Sequence, residues 1–499
     1  MDEQTEHTKT GRLVIVSNRL PIVVSKEEGE LKVSSGSGGL VTALAPVLKN
    51  RGGLWLGNPG PSEPEEYDQI REIVEKENKT TGYFLHPIFL TAEEMRFYYE
   101  GFSNEILWPL FHDLPSECNF NPIYWGVYQS VNSKFAEEIN RYITSSDFIW
   151  IHDYHLMLVG QELRKRGVGE KIGFFLHIPF PSLDIFSKLP WRFQILRALL
   201  EFDLVGFQTL HDQRNFLRCV KRLLPDVTIA AQQHMRYCKT ETRDVCVGAF
   251  PISIDFKGFS ETASGKEVKS QAWLHHEHLK GQKIVFSCDR LDISKGIPYR
   301  LDAISHLLKI HPEIHEKVTF FQVVIPSRTE IQKYQNLKKE VDRRVGEINS
   351  QFTKTGWVPI QYLYHSLSRN ELIAFYRMSE ILLITPVKDG MNLVAKEFIA
   401  SNVNEDGVLI LSEFAGAAVQ LQHEAILINP YDVEGVSEAI YKALEMSSAE
   451  KKKRMRKMRR SVERYDVFWW VHAFLQTAVS KELYDYPVIE EYTPSPATP

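Results

Sequence analysis

Cysteine is scarce in this chain and scattered. Cys118, Cys219, Cys238, Cys246 and Cys288 make an odd set of five with no C-x-x-C pair. That argues against a disulfide framework or a zinc ribbon and fits a reducing cytoplasm. No apolar run reaches the roughly 18 residues of a membrane-spanning helix. The first ten residues are polar and lack the apolar centre of a secretory signal. Charge of one sign is also missing. A formal net charge of −5 gives no basis for nucleic acid or an anionic membrane as partner. The basic run 451–460 reads as one solvated helix face, not a nucleic-acid patch. His275-His276-Glu277-His278 lacks the H-E-x-x-H spacing of a zinc site, and Gly36-Ser37-Gly38-Gly39 is not the spaced glycine fingerprint of dinucleotide binding. No metal and no NAD are implied.

What is present fits a soluble globular protein. The 499 residues are 43% hydrophobic and 25% charged, long enough for two α/β domains. Apolar, β-branched or aromatic runs at 13–17, 148–151, 173–176, 204–207, 284–287, 319–324, 381–384, 408–411 and 425–428 alternate with helical patterns. Continuous runs without polar alternation mark parallel strands covered on both faces. The fold class is therefore α/β with two doubly wound sheets. The expected organisation is a disordered tail over 1–11, a first Rossmann-like domain over 12–256 and a second over 257–465. A helix follows over 466–484, then a flexible Pro-rich tail over 485–499. Phe468, Trp469, Trp470 and Phe474 give that last helix large apolar groups that need a surface to cover.

The most informative segment is Asp389-Gly390-Met391-Asn392-Leu393-Val394-Ala395-Lys396-Glu397. It leaves the apolar run 381–384 and enters a helical pattern at Leu393. A loop that delivers backbone N–H groups at a helix N-terminus binds anions, because those groups lack internal partners and the dipole is positive there. Asp389 lies near the expected anion, and Glu397 is placed to accept from two sugar hydroxyls. The plain alternative makes Asp389 an N-cap and Glu397 a solvated residue. A second motif, Asp289-Arg290-Leu291-Asp292-Ile293-Ser294-Lys295-Gly296, ends another strand. Arg290 and Lys295 can neutralise a diphosphate without a metal; the alternative is a solvated turn. Ser17-Asn18-Arg19 ends the first strand, where Arg19 can hold a phosphate in bidentate fashion or simply lie exposed.

These motifs resemble the donor-binding motifs of the trehalose-6-phosphate synthase family. The resemblance continues through Ser17-Asn18-Arg19-Leu20-Pro21, Gly38-Gly39-Leu40, Ser103-Asn104, Leu107-Trp108-Pro109, His152-Asp153-Tyr154-His155 and the run from Phe175 to Pro181, and covers about residues 12–480. It implies the GT-B architecture: two Rossmann-like domains with the active site in the cleft between them, and the last helix crossing back to the first. It implies that Arg290, Lys295, Asp389, Gly390, Met391, Asn392, Leu393, Val394 and Glu397 bind the donor, with Gly38 and Gly39 closing over its diphosphate. Arg19, Tyr99, Trp108 and Arg328 would bind the acceptor's phosphate. Asp153 and His177 would touch the transferred glucose and the acceptor. Phe97, Phe102 and Phe111, beside Tyr99 and Trp108, read as core. Asn58 departs from the family, where Trp is common.

The activity so implied is metal-independent transfer of glucose from UDP-glucose to glucose 6-phosphate with retention, without a cofactor and without an enzyme nucleophile. No Asp-x-Asp pair occurs in the chain, which weakens a metal-held diphosphate. A glucosylglycerol-phosphate synthase, a silent sugar-phosphate-sensing homologue and a pseudo-glycosyltransferase stay open. The implied partners are small-molecule substrates. A homo-oligomer or a complex with a separate trehalose-6-phosphate phosphatase also stays open.

Overall fold

In the computed structural model, the described residues are 11–27, 30–36, 39–60, 63–232, 235–279 and 281–480. Gly38, the Pro-rich tail and all but one residue of the N-terminal tail lie outside them, as do the side chains of His275, His276, Glu277 and His278. The described residues divide into two compact units, 11–250 with 471–480, and 251–470.

The first unit is built on β1 (Leu13–Arg19), the hairpin β2 (Ile22–Glu27) and β3 (Glu30–Ser35), β4 (Leu54–Asn58), β5 (Phe84–Pro87), β6 (Phe148–His152), β7 (Lys171–Phe175), β8 (Leu204–Phe207), β9 (Thr228–Gln232), β10 (Met235–Lys239) and β11 (Asp244–Ala249). One nine-stranded sheet runs β5-β4-β1-β6-β7-β8-β11-β10-β9. It is parallel from β5 to β11 and ends in an antiparallel β9–β10–β11 meander. The apolar runs explain the centre: β1, β4 and β6 are buried along nearly their whole length because helices cover both faces.

The second unit carries β12 (Lys283–Arg290), β13 (Val318–Ile325), β14 (Ile360–Leu363), β15 (Ile381–Ile384), β16 (Val408–Ser412) and β17 (Ile426–Ile428). They form a parallel six-stranded sheet in the order β14-β13-β12-β15-β16-β17.

The division falls between Phe250 and Pro251, a few residues before the expected boundary at 256. The reason is local. Lys396 Nζ donates to the Ile252 carbonyl at 2.7 Å, and the Val467 amide donates to the Ile254 carbonyl at 2.9 Å, so the segment after Phe250 is tied to the second unit. The basic run 451–460 is a helix face with structural duties. Helix Ser448–Arg464 buries Met455, Met458 and Val462, and Arg459 donates to the Ile399 and Ala400 carbonyls at 2.9 and 2.6 Å. A cation on the last carbonyls of helix Leu393–Ser401 complements its dipole. No described helix is long and apolar enough to cross a membrane.

The last helix, Val467–Ser480, sends Phe474 into the first unit. Its ring stacks on Trp150 at 4.3 Å and meets Phe250 edge-on at 5.2 Å. Gly173 and Gly206 make the space: a Cβ at either would stand 2.8 or 2.7 Å from the Phe474 ring. Phe474→Ala should empty this space and cost about 3–5 kcal/mol. Thermal unfolding followed by circular dichroism checks this; an unchanged midpoint would remove the last helix from the list of stabilising elements.

Candidate functional site

Counted in chain order within each sheet, the six central strands of both units run 3-2-1-4-5-6. In such a sheet the connections leave the first and fourth strands toward opposite faces, and a crevice opens at their carboxyl ends. In the second unit these strands are β12 and β15. They pair at Val285↔Ile381 and Phe286↔Leu382, the Ser287 hydroxyl donates to the Leu383 carbonyl at 2.8 Å, and with β15 ending at Ile384 the last residues of β12, Asp289 and Arg290, run on past it. Arg290 ends β12 and is exposed.

The turn after Arg290 is held from inside. Asp292 is fully buried, and its Oδ1 accepts from the Ser294 amide at 3.0 Å and the Ser294 hydroxyl at 2.9 Å. Gly296 has φ +63°, and a Cβ there would lie 2.2 Å from the Thr385 carbonyl oxygen. The turn thereby presses against the loop after β15 and carries Lys295 to it. Lys295 Nζ lies 2.6 Å from Asp389 Oδ2, with both side chains largely buried. Asp389 also accepts from Asn392 Nδ2 at 3.1 Å. The helix cap is Asn392, not Asp389. It sits at φ +77° and accepts from the Ala395 amide at 3.2 Å. The amides of Leu393 and Val394 have no acceptor among the described residues. Two N–H groups at a helix start beside a lysine form a site for an anion.

Glu397 lies one turn on and is not solvated. Its side chain is buried, burial raises its pKa, and Oε2 accepts from the Tyr376 hydroxyl at 2.9 Å. Oε1 keeps no protein partner among the described residues. Gly390 and Met391 lie buried in the loop, where the Ala417 amide donates to the Met391 carbonyl at 2.7 Å.

Arg328 is in this unit too, at φ +50°. Its guanidinium pairs with Asp292 and donates to the Tyr334 hydroxyl at 3.0 Å. The structure thus ties this expected acceptor residue to the donor turn. Arg300 had no role in the sequence reading. It is 1% exposed, pairs with Asp289, and donates to Thr385 Oγ1 at 2.9 Å and Gln322 Oε1 at 3.2 Å. One guanidinium therefore braces β12, β13 and the loop after β15. The signal was legible: in helix Ile297–Ile310, Arg300 stands on the stripe of Ile297, Leu301, Ile304 and Leu308. A charged residue on an apolar stripe has a buried partner.

In the first unit the equivalent strands are β1 and β6, ending in Arg19 and His152. Arg19 is exposed, and its guanidinium makes no hydrogen bond or ion pair among the described residues. It lies over the Tyr99 ring, 5.2 Å from its centre, and Tyr99 stacks on His155 at 5.7 Å. Tyr99 comes from Met95–Leu107, a π-helix, followed directly by Trp108–Phe111. Asn104 links the cluster: it donates to the Tyr99 carbonyl at 2.7 Å and accepts from the Tyr154 hydroxyl at 3.0 Å. Trp108 packs on Tyr154 at 5.8 Å. So Arg19 and Tyr99 are brought together, with Trp108 joined through Tyr154. Phe102 and Phe111 are core, but Phe97 is only half-buried, against Tyr124 and beneath Arg96. Asn58 is buried and structural: it donates to the Ile88 carbonyl at 3.2 Å and accepts from the Gly60 amide at 2.9 Å. Gly39 opens helix Gly39–Arg51.

Asp153 follows β6 at φ +76°, ψ 167°. That region is nearly restricted to glycine and costs about 1–3 kcal/mol for other residues. Its Oδ1 accepts from the His177 amide at 3.2 Å. His152 Nδ1 and His177 Nε2 are 3.0 Å apart. Burial lowers both imidazoles, His177 to about 3 and His152 well below its ordinary value. The pair is neutral at ordinary pH, so one ring nitrogen donates and the other accepts.

The chain matches the model of glycosyltransferase family 20 over residues 11–480. A trehalose-6-phosphate synthase of Mycolicibacterium gilvum (strain PYR-GCK) is 40% identical over 485 residues, 96% of this chain and 95% of that one. The crystal structure of an α,α-trehalose-phosphate synthase (UDP-forming) from Burkholderia xenovorans in complex with glucose-6-phosphate is 33% identical. It covers 94% of this chain and 100% of its own, with a TM-score of 0.84. A trehalose-6-phosphate protein from E. coli bound with UDP-2-fluoro glucose is 35% identical, covers 94% and 98%, and gives a TM-score of 0.83.

Two predictions come from Asp153 and its neighbours. Asp153→Gly and Asp153→Ala lose the same carboxylate, but only glycine relieves the backbone. The glycine variant should be the more stable by about 1 kcal/mol or more; equal urea midpoints would mean that the backbone is unstrained. His177 stays neutral in the fold but protonates in the unfolded chain near 6.5. The unfolded state therefore binds the extra proton, and stability falls as pH drops from about 6.5 toward about 3, by up to about 1.4 kcal/mol per pH unit for that imidazole. His177→Asn should show a shallower loss of melting temperature across this window.

Proposed function

The chain belongs to glycosyltransferase family 20, and we propose that it transfers glucose from UDP-glucose to glucose 6-phosphate with retention, forming α,α-trehalose 6-phosphate and UDP. The observation that carries this reading is the Lys295–Asp389 ion pair beside the open amides of Leu393 and Val394, at the switch point of a parallel sheet. It is a place for a sugar diphosphate. The family's solved structures with glucose-6-phosphate and UDP-2-fluoro glucose support the two substrates.

On this reading Arg290 and Lys295 neutralise the diphosphate. An ammonium has three donors, so Lys295 can keep Asp389 and still reach a phosphate oxygen. The loop Gly390-Met391-Asn392 and the amides of Leu393 and Val394 hold the diphosphate, with Gly38 and Gly39 closing over it. Oε1 of Glu397 takes the ribose hydroxyls while Tyr376 steadies Oε2. Asp389 and the Asp153–His177 group take hydroxyls of the transferred glucose and the acceptor. Arg19, Tyr99 and Trp108 receive the acceptor's phosphate, with Arg328 as the further cation. The C1–O bond to the diphosphate breaks toward an oxocarbenium-like state. The acceptor hydroxyl forms the new C1–O bond on the same face, and its proton passes to the departing phosphate oxygen. Charge grows on that oxygen in the transition state, where preorganised cations contribute most. The reaction needs no cofactor, and its substrates are cytoplasmic metabolites.

A donor-by-acceptor activity matrix with the product identified by NMR tests the assignment. UDP-glucose with glucose 6-phosphate should turn over best; preference for glycerol 3-phosphate would move the protein to the sister activity. Arg290→Ala and Lys295→Ala should each lower kcat by about a hundredfold or more. Arg19→Ala should instead raise the KM for glucose 6-phosphate, having lost a charge-assisted contact of about 1.5–3 kcal/mol. Unchanged kcat in the first two variants would remove the diphosphate clamp from the mechanism.

A further inference from the structure

The bonds that hold Arg290 and Lys295 in place converge on one buried side chain. Arg300 is 1% exposed, and the three partners of its guanidinium are buried with it. It spreads its donors over three elements. Nε donates to Thr385 Oγ1 at 2.9 Å, Nη1 to Gln322 Oε1 at 3.2 Å, and Nη2 to Asp289 Oδ2. Gln322 lies on β13, opposite Ser287 of β12. The other two partners are each one step from a site cation. Asp289 directly precedes Arg290 at the end of β12. Thr385 follows β15, and its hydroxyl donates to the Lys295 carbonyl at 3.4 Å. The same loop meets the turn once more, where the Val387 amide donates to the Ser294 carbonyl at 2.8 Å.

Packing does not account for an arginine here. Arg300 continues the stripe of Ile297, Leu301, Ile304 and Leu308, where a leucine would avoid the desolvation of a charge. A lysine would not replace it, since its donors sit on one atom. The guanidinium reaches Thr385, Gln322 and Asp289 from three nitrogens in a fixed plane. Its charge is already paired with Asp289, so Arg300 acts by geometry and not by adding to the field. Geometry is what a diphosphate clamp requires: preorganised cations must stand where charge develops, and a displacement of about 1 Å can cost about a hundredfold.

We propose that Arg300 is a positioning residue for the transfer reaction. Through Thr385 it sets Lys295, and through Asp289 it sets Arg290, so that one buried guanidinium aligns both cations on the leaving diphosphate. The proposal rests on the reading of Arg290 and Lys295 as that clamp, and it does not depend on which acceptor the enzyme uses.

Steady-state kinetics of the full chain with UDP-glucose and glucose 6-phosphate, alongside thermal unfolding, test it. Arg300→Lys and Thr385→Val should each lower kcat about tenfold, with the KM for glucose 6-phosphate within about twofold of the parent. Thr385→Ser, which keeps the hydroxyl, should recover most of that loss. A cycle with Lys295→Ala separates positioning from general loosening. In that background Thr385→Val should cost no more than about twofold, because the group it aligns is gone. Arg300→Lys should cost no more than about threefold there, through the Asp289–Arg290 arm that remains. If Arg300→Lys does not fold, the Thr385 variants decide. Losses that multiply in full in the Lys295→Ala background overturn the proposal, as does equal loss in Thr385→Ser and Thr385→Val. A lower melting temperature with kcat at the parent level assigns Arg300 to stability alone and overturns it too. Unchanged kcat in Lys295→Ala itself overturns the diphosphate clamp, and this proposal with it.

Discussion

An ammonium and a carboxylate 2.6 Å apart, Lys295 and Asp389, join two loops from different strands of the second sheet. The rest of the donor region depends on that approach. Gly296 permits it, since any side chain there would strike the Thr385 carbonyl. Asp292 shapes the turn from below, and Arg300 fixes the strand ends on either side. Such buried pairs are costly to desolvate and contribute little net stability, so their value here is positional. A lysine held by Asp389 is in place before any phosphate arrives, which is the condition for electrostatic catalysis without reorganisation.

Backbone strain marks the same places. Among the described residues six non-glycine positions have positive φ, and three of them are Asp153, Arg328 and Asn392. Each belongs to the candidate site. Strain persists only where the surroundings over-determine it. At Asp153 they do: its amide is bonded to the Phe175 carbonyl, its carbonyl to the Leu156 amide, and its carboxylate to the His177 amide. At Asn392 the side chain caps the helix it opens.

Much of the fold was legible because parallel strands covered on both faces must be continuously apolar. All nine apolar runs singled out in the sequence became strands of the two main sheets. The less legible strands explain themselves. β4 contains Gly57 and ends in Asn58, β5 is four residues with an exposed Phe84, and β9 is largely exposed. β5 and β9 lack the unbroken apolar run that betrays a central strand, whereas β11 carries one over 245–249 and is absent from the nine runs. Phe97 misled in the opposite direction, since an aromatic stripe on a wide helix need not all face inward.

The sequence by itself determined the α/β class, the strand-end placement of Arg19, Arg290 and Asp389, and the helix start at Leu393. Those features are local: they follow from hydrophobic period, helix-start chemistry and the position of a residue just past a strand. Only the tertiary structure decided the partners. Lys295 meets Asp389 from 94 residues away, Tyr376 reaches Glu397, Asp292 takes Arg328, and His152 takes His177. It also decided that Asn392 is the cap and that Asp153 bears the strain. Pairings of this kind depend on which strands become neighbours and how far their ends diverge, and strand order is a property of the packed sheet, not of any one segment.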